Sequence, residues 1–194
     1  MTIYGKTVLV TAGTLGLDNN IARACAEPGA QRIILFDTDQ ELVKEYGAPD
    51  ILLHAAGIAD SNLKAETYNP TIFQRVIDIN LNGSFLVLVS QATSRAMIAA
   101  GKPGSIVLVA STSGVIVNYA QEQSWYNASK YVVIQVAKSL AVKWVKLNVR
   151  VNSISSRKKI WLPLTSQNRL RNVRKLNDHY VFLATDASQL HDGV

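Results

Sequence analysis

Three residues in the middle of the chain have types and spacing that suit proton transfer: Ser111, Tyr126 and Lys130. Tyr126 and Lys130 belong to a helical pattern that continues through Val133, Ala137, Leu140 and Trp144. Spacings of four, three, four, three and four put all six on one helical stripe. Four of the six are apolar or small, so the stripe should face the interior. A lysine there needs a partner for its ammonium, or it gives up its proton. A phenol one turn away supplies a chemical reason for such a lysine. A nearby cation favours the phenolate and lowers the tyrosine pKa from about 10 towards working pH. Tyr126 is then a candidate general acid or base. The pair alone leaves a structural alternative open, in which Lys130 snorkels to solvent beside a core tyrosine.

The elements that must position these residues follow from the hydrophobic pattern. Val8-Leu9-Val10, Ile33 to Phe36, Ile51 to Leu53, Ser105 to Val109 and Val149 to Val151 read as strands. They lack in/out alternation, as strands covered on both faces should. Helical patterns lie between them, around 19–28, 39–46, 70–100, 124–147 and 177–185. Strand–helix alternation predicts an α/β fold, a doubly wound parallel sheet that is Rossmann-like and holds ligands at the carboxyl ends of its strands. With 194 residues, the chain is expected to form a single domain.

Composition excludes several classes. Hydrophobic residues make up 48% and charged residues 18%, as in ordinary globular proteins. No apolar run approaches the roughly 18 residues of a membrane span, and Met1 to Lys6 lead straight into a strand pattern. Neither a membrane partner nor a signal peptide is expected. The single Cys25 excludes an internal disulfide, so a cytoplasmic location is the default. The net charge is +6, and Arg157 to Lys175 holds seven basic residues and no acid. Without an aromatic stacking platform, that stretch reads as a solvated basic face and not a nucleic-acid site.

A cofactor site is suggested where the first strand runs through Thr11-Ala12-Gly13-Thr14-Leu15-Gly16-Leu17-Asp18 into a helix. A tight Gly-containing turn there lets backbone amides and the positive helix end receive a pyrophosphate. Asp37 closes the second strand, about 20 residues on, where a carboxylate accepts hydrogen bonds from an adenosine ribose. Its charge would repel a 2′-phosphate, which favours NAD over NADP. An N-cap aspartate for the next helix is the alternative. Asn80 shares a helical stripe with Phe73, Val76 and Val87, which makes it an inward polar group.

Assembled in this order, the motifs resemble those of the short-chain dehydrogenase/reductase family. Thr11 to Asp18 resembles its cofactor turn, and His54-Ala55-Ala56-Gly57 its NNAG motif. Asn80 to Gly83 resembles NxxG, Ser111 to Gly114 the catalytic serine segment, and Tyr126 to Lys130 YxxxK. Val151 to Ser155 resembles the strand before a Pro-Gly pair. Gly57 to Asp60, Val115 to Ser124 and Val181 to Ser188 are similar to the fungal polyol/ketose branch.

The resemblance implies NAD(P)-dependent hydride transfer on a polyol or ketose substrate. Tyr126 would be the general acid/base, and Lys130 would also bond the nicotinamide ribose. Ser111 would orient the carbonyl or alcohol, with Ser113 a rival by distance, and Asn80 would hold a relay water. It further implies cofactor contacts at Thr11, Gly13, Leu15, Gly16, Leu17, Asp37, Ala56, Gly57, Asn80, Tyr126 and Lys130. A homodimer or homotetramer would assemble through the helices around 70–100 and 124–147. No metal is implied.

The chain departs from the family at defined places. Ala12 and Asp18 occupy two of the three glycine positions in the cofactor turn. Thirteen residues, 38–50, replace the usual helix, strand and helix, so the sheet should lose an edge strand and shorten to about five. One helix over Thr38–Tyr46, at most about 15 Å long, can still make the crossover. Ser155-Ser156 replaces Pro-Gly, the covering segment shrinks to little more than Arg157–Trp161, and only a stub follows Ser188. These departures sustain a second reading: a degenerate, catalytically impaired member with a binding or oligomeric role.

Overall fold

The computed structural model describes residues 3–11, 17–36, 46–59, 63–81, 89–117, 122–155, 173–185 and 188. Five strands form one sheet: β1 (Thr7–Thr11), β2 (Arg32–Phe36), β3 (Ile51–His54), β4 (Gly104–Val109) and β5 (Val149–Ile154). Their order is β2-β1-β3-β4-β5 and every pairing is parallel. The described helices are α1 (Leu17–Ala26), α2 (Pro70–Asn80), α3 (Ser90–Ala99), α4 (Ser124–Trp144) and α5 (Val173–Ala184). The sheet is thus the expected doubly wound one, with β2 as an edge strand.

Both faces of the sheet are covered, which is why the strands are apolar without alternation. Leu9, Leu52, Ile106, Leu108, Val149 and Val151 meet Met97 of α3 and Val133, Ala137 and Ala141 of α4. On the opposite face, Val8, Val10, Ile51, Leu53, Val107 and Val109 meet Ile21 and Cys25 of α1 and Tyr180 and Ala184 of α5. The inward stripe expected on α4 is realised: Lys130, Val133 and Ala137 are buried, and Leu140 and Trp144 pack partly buried against the same cluster.

Local chemistry sets the element ends. Asn69 caps α2, its side chain accepting a hydrogen bond from Thr71 N at 2.8 Å, and Pro70 fills the first helical position. Within the pattern over 70–100, α2 ends where Leu81 leaves helical geometry at φ −122°, ψ −67°, and α3 begins at Ser90; residues 82–88 lie outside the described residues. After α4, a 3-10 turn (Val145–Leu147) leads to Asn148 at φ 58°, a left-handed conformation that asparagine tolerates better than most residues. Opposite the strands' carboxyl ends, Arg150 anchors the end of α5. It donates to Thr185 O at 2.8 Å and to Ser188 Oγ, while Ser105 Oγ donates to Leu183 O at 3.1 Å. The expected helix over Thr38–Tyr46 lies outside the described residues except Tyr46. So do the Arg157–Trp161 segment and the stub after Ser188.

One close approach requires a glycine. The 3-10 turn Thr112–Gly114 rests on α4 so tightly that a Cβ on Gly114 would lie 2.7 Å from the backbone carbon of Lys130 and from the nitrogen of Tyr131. Helix backbone cannot yield as a flexible side chain does. Gly114→Ala is therefore expected to cost about 1–3 kcal/mol by chemical denaturation. A change within about 0.5 kcal/mol of wild type would show that the turn lifts freely off α4.

Candidate active site

At the carboxyl end of the sheet, Thr11 and His54 stand side by side in register on β1 and β3. The Thr11 hydroxyl oxygen accepts from Ala55 N at 3.2 Å and Ala56 N at 3.4 Å, and lies 2.9 Å from His54 Nδ1. Two amides fill the oxygen's acceptor capacity, so its single proton goes to Nδ1. This network assigns His54 the neutral tautomer protonated on Nε2. Burial pushes the imidazole down to about 3, and the positive charge of Lys130 acts in the same direction.

Asn80 is buried at the end of α2 and grips the loop after β3 with both ends of its amide. Its Oδ1 accepts from Ile58 N and its Nδ2 donates to Ile58 O, both at 2.8 Å. Nδ2 also donates to Ser129 Oγ at 3.0 Å, and Ser129 Oγ donates to Tyr126 O at 2.8 Å. The asparagine and the tyrosine, 46 positions apart, are thus joined through one serine. Edge-to-face packing of Phe73 on Trp125, with ring centroids 4.6 Å apart, holds the same helix pair together.

Lys130 points inward, and only 6% of it is exposed. Its Nζ donates to Val109 O, the last carbonyl of β4, at 3.0 Å and lies 5.9 Å from the centre of the Tyr126 ring. The snorkelling alternative is thereby excluded. Burial pulls the ammonium down to about 8. A Cβ on Gly57 would sit 3.2 Å from both Lys130 Nζ and Asn80 Oδ1, so both groups close on the bare side of that glycine.

Ser111 follows β4 and caps the Thr112–Gly114 turn, its Oγ accepting from Ser113 N at 3.2 Å. Both serines are buried. The fold therefore gathers Thr11, Ala56, Gly57, Asn80, Ser111, Tyr126 and Lys130 at the sheet's carboxyl edge, and Leu17 opens α1 beyond β1. Gly13, Leu15, Gly16 and Asp37 lie outside the described residues. The sequence reading missed Ser129 and the part played by His54. Ser129 carried one signal: a serine inside a helix tends to bond a carbonyl three or four residues back.

Two stability effects follow from the buried bases. His54 is depressed below its unfolded value, so the unfolded chain binds a proton that the folded one refuses. Stability is full above about 6.5 and falls by about 1.4 kcal/mol per pH unit towards pH 3, a slope that His54→Asn should flatten in urea titrations. Lys130 is also depressed, so its burial penalty is complete below about pH 8 and fades as pH rises towards 10.5. At pH 7, Lys130→Met is expected to stabilise the fold by about 1–3 kcal/mol, with a gain that shrinks at alkaline pH. A loss of stability at pH 7 would contradict this account.

A family model described as enoyl-(acyl carrier protein) reductase matches residues 37–193. Sorbose reductase of Schizosaccharomyces pombe is 30% identical, over 98% of this chain and 93% of that protein. The ribulose-forming D-arabinitol 2-dehydrogenase of Scheffersomyces stipitis is 44% identical, over 55% of this chain and only 37% of its own length. A solved short-chain type dehydrogenase/reductase from Mycobacterium marinum superposes with a TM-score of 0.89 at 28% identity, covering 99% of this chain and 92% of that one. The family match, the parallel five-stranded sheet and the serine, tyrosine and lysine at its carboxyl edge lead to one conclusion: the chain belongs to the short-chain dehydrogenase/reductase family of oxidoreductases.

Proposed function

We propose that the chain is an NAD(P)-dependent oxidoreductase that interconverts a sugar alcohol and its ketose, acting as a single Rossmann-like domain. The observation that carries the reading is the bonded set at the sheet's carboxyl edge. Asn80, Ser129 and Tyr126 form one chain, and a buried Lys130 lies beside the tyrosine ring. A chain drifting out of catalytic use has no reason to keep an ammonium buried at a cost in stability. The names of the relatives, a sorbose reductase and a D-arabinitol 2-dehydrogenase, supply the substrate class.

The residues present fit a dinucleotide. The Gly57 surface is bare where a side chain would crowd Lys130 and Asn80, and α1 starts beyond the end of β1. Thr11, Gly13, Leu15, Gly16, Leu17, Asp37, Ala56 and Gly57 would hold the cofactor together with Asn80, Tyr126 and Lys130. When bound, nicotinamide supplies the hydride acceptor or donor. Tyr126 takes the substrate's hydroxyl proton in oxidation and returns it in reduction. The Lys130 charge favours the phenolate, and two of its protons remain for the ribose after Val109 O is served. The Ser111 hydroxyl orients the substrate oxygen. Asn80 holds the loop after β3 and a relay water.

Asp37 favours NAD over NADP, because its carboxylate repels a 2′-phosphate. The outer side of α4, where Tyr131 and Val142 are exposed, supports a homodimer or homotetramer through this helix. The single cysteine is free and buried, which suits a reducing cytoplasm. Among the described residues, no helix is long and apolar enough to cross a membrane.

The test is fluorescence titration with NADH and NADPH, then turnover on D-arabinitol and L-sorbose. Binding of NADH in the micromolar range, tighter than NADPH, is expected. Tyr126→Phe should lower kcat by about 10²–10⁴ with cofactor affinity kept. No binding of either nucleotide would favour the impaired reading, which Ala12 and Asp18 motivate.

A further inference from the structure

We infer that Gly57 is a positioning residue, whose missing side chain leaves the Lys130 ammonium the room to stay charged and bonded to Val109 O. The inference rests on the reading of Tyr126 and Lys130 as the proton-transfer pair. It gives Gly57 a role beyond contact with a cofactor.

Two reasons for a glycine can be told apart at this position. The first is conformational. Gly5, Gly29, Gly47 and Gly101 have positive φ, which L side chains rarely adopt, and Gly57 does not share that conformation. Its backbone therefore accepts an alanine. The second reason is space. A Cβ on Gly57 would lie 3.2 Å from Lys130 Nζ and 3.2 Å from Asn80 Oδ1, inside ordinary van der Waals distance. The obstacle to a side chain at this position is therefore those two polar atoms.

Of the parts around that point, the ammonium is the one able to yield. The loop backbone is held on both sides of Gly57: Thr11 Oγ1 accepts from Ala55 N and Ala56 N, and Asn80 bonds both Ile58 N and Ile58 O. The Asn80 amide is fixed by those two Ile58 bonds at 2.8 Å and by Ser129 Oγ at 3.0 Å. Lys130 Nζ ends a flexible four-carbon stem and donates to Val109 O at 3.0 Å. That bond already has its ordinary length, so retreat towards the carbonyl is blocked and any other retreat stretches or bends it. A methyl also puts hydrocarbon beside a cation that burial already disfavours. The ionisable groups beside the ammonium are Tyr126 on α4 and neutral His54 at the end of β3.

Gly57→Ala is the test, because the backbone tolerates it. The direct measurement is the titration of Lys130, followed by NMR at its 13Cε in the intact chain with no nucleotide or substrate present. We expect the variant to fold with a urea midpoint close to wild type, and its lysine midpoint to fall by about half a pH unit or more. In D-arabinitol oxidation at saturating NAD, kcat should fall roughly tenfold, with KM for the polyol little changed. Less positive charge beside Tyr126 leaves its phenol harder to ionise, so the pH for half-maximal kcat moves upward.

A lysine midpoint like that of wild type overturns the inference, and lowered NAD affinity alone would leave Gly57 a cofactor contact and nothing more. Failure of Gly57→Ala to fold would show that the loop gives way before the ammonium does, which overturns it as well. Tyr126→Phe runs alongside as the control for the catalytic reading. If Tyr126→Phe turns over normally while the lysine midpoint still moves in Gly57→Ala, the proton-transfer reading fails and the positioning role stands. If Tyr126→Phe is inactive and the midpoint does not move, only the role of Gly57 fails.

Discussion

An ammonium buried at the carboxyl edge of a parallel sheet is the constraint around which this structure is arranged. Lys130 reaches inward from α4 and finds the last carbonyl of β4. One neutral hydrogen bond does not restore what water would give a cation, so the position remains costly. Several neighbours follow from that cost. His54 stays neutral beside it, Gly57 leaves its flank bare, and the Asn80 amide turns its oxygen to the same side. A cation held there favours negative charge on a group beside it, and the centre of the Tyr126 ring lies 5.9 Å away.

The fold reduces the number of parts needed to build this site. Parallel strands end together, so Thr11, His54 and Val109 come to one edge through strand register alone. Strands β1, β3 and β4 are adjacent in the middle of the sheet, where pairing on both sides and packing on both faces hold their ends. The stretch that is short in this chain, between β2 and β3, lies where the sheet already ends at β2. Its loss trims an edge and leaves the order of the central strands intact. The edge that carries Thr11, His54 and Val109 is therefore independent of that stretch.

Two helices carry the rest, and their relation is tightly specified. α2 supplies Asn80 and α4 supplies Tyr126, Ser129 and Lys130, and they meet through a polar contact and an aromatic one. The Asn80–Ser129 bond is directional and buried, while the Phe73–Trp125 pair supplies area. Gly114 brings the Ser111 turn into close approach to the backbone of α4 at Lys130 and Tyr131. The lysine is thus held at its backbone by that turn and at its ammonium by Val109 O, which favours a single geometry over a mobile one.

The sequence by itself determined the strands, the sheet type and the inward stripe of α4, because these depend on local periodicity and burial. It also brought Asn80, Ser111, Tyr126 and Lys130 together, through motifs that occur in a fixed order. It did not reveal that Lys130 takes Val109 O, that His54 is a neutral acceptor for Thr11, or that Ser129 joins Asn80 to Tyr126. Each of these contacts spans 21 to 49 positions in the chain, apart from the short Ser129–Tyr126 link. Their partners are hydroxyls, amides and carbonyls that nearly every segment contains, so pattern cannot select among them. Tertiary structure decides them, because only packing two helices on one sheet brings a particular donor to a particular acceptor and shuts out the water that would otherwise serve both.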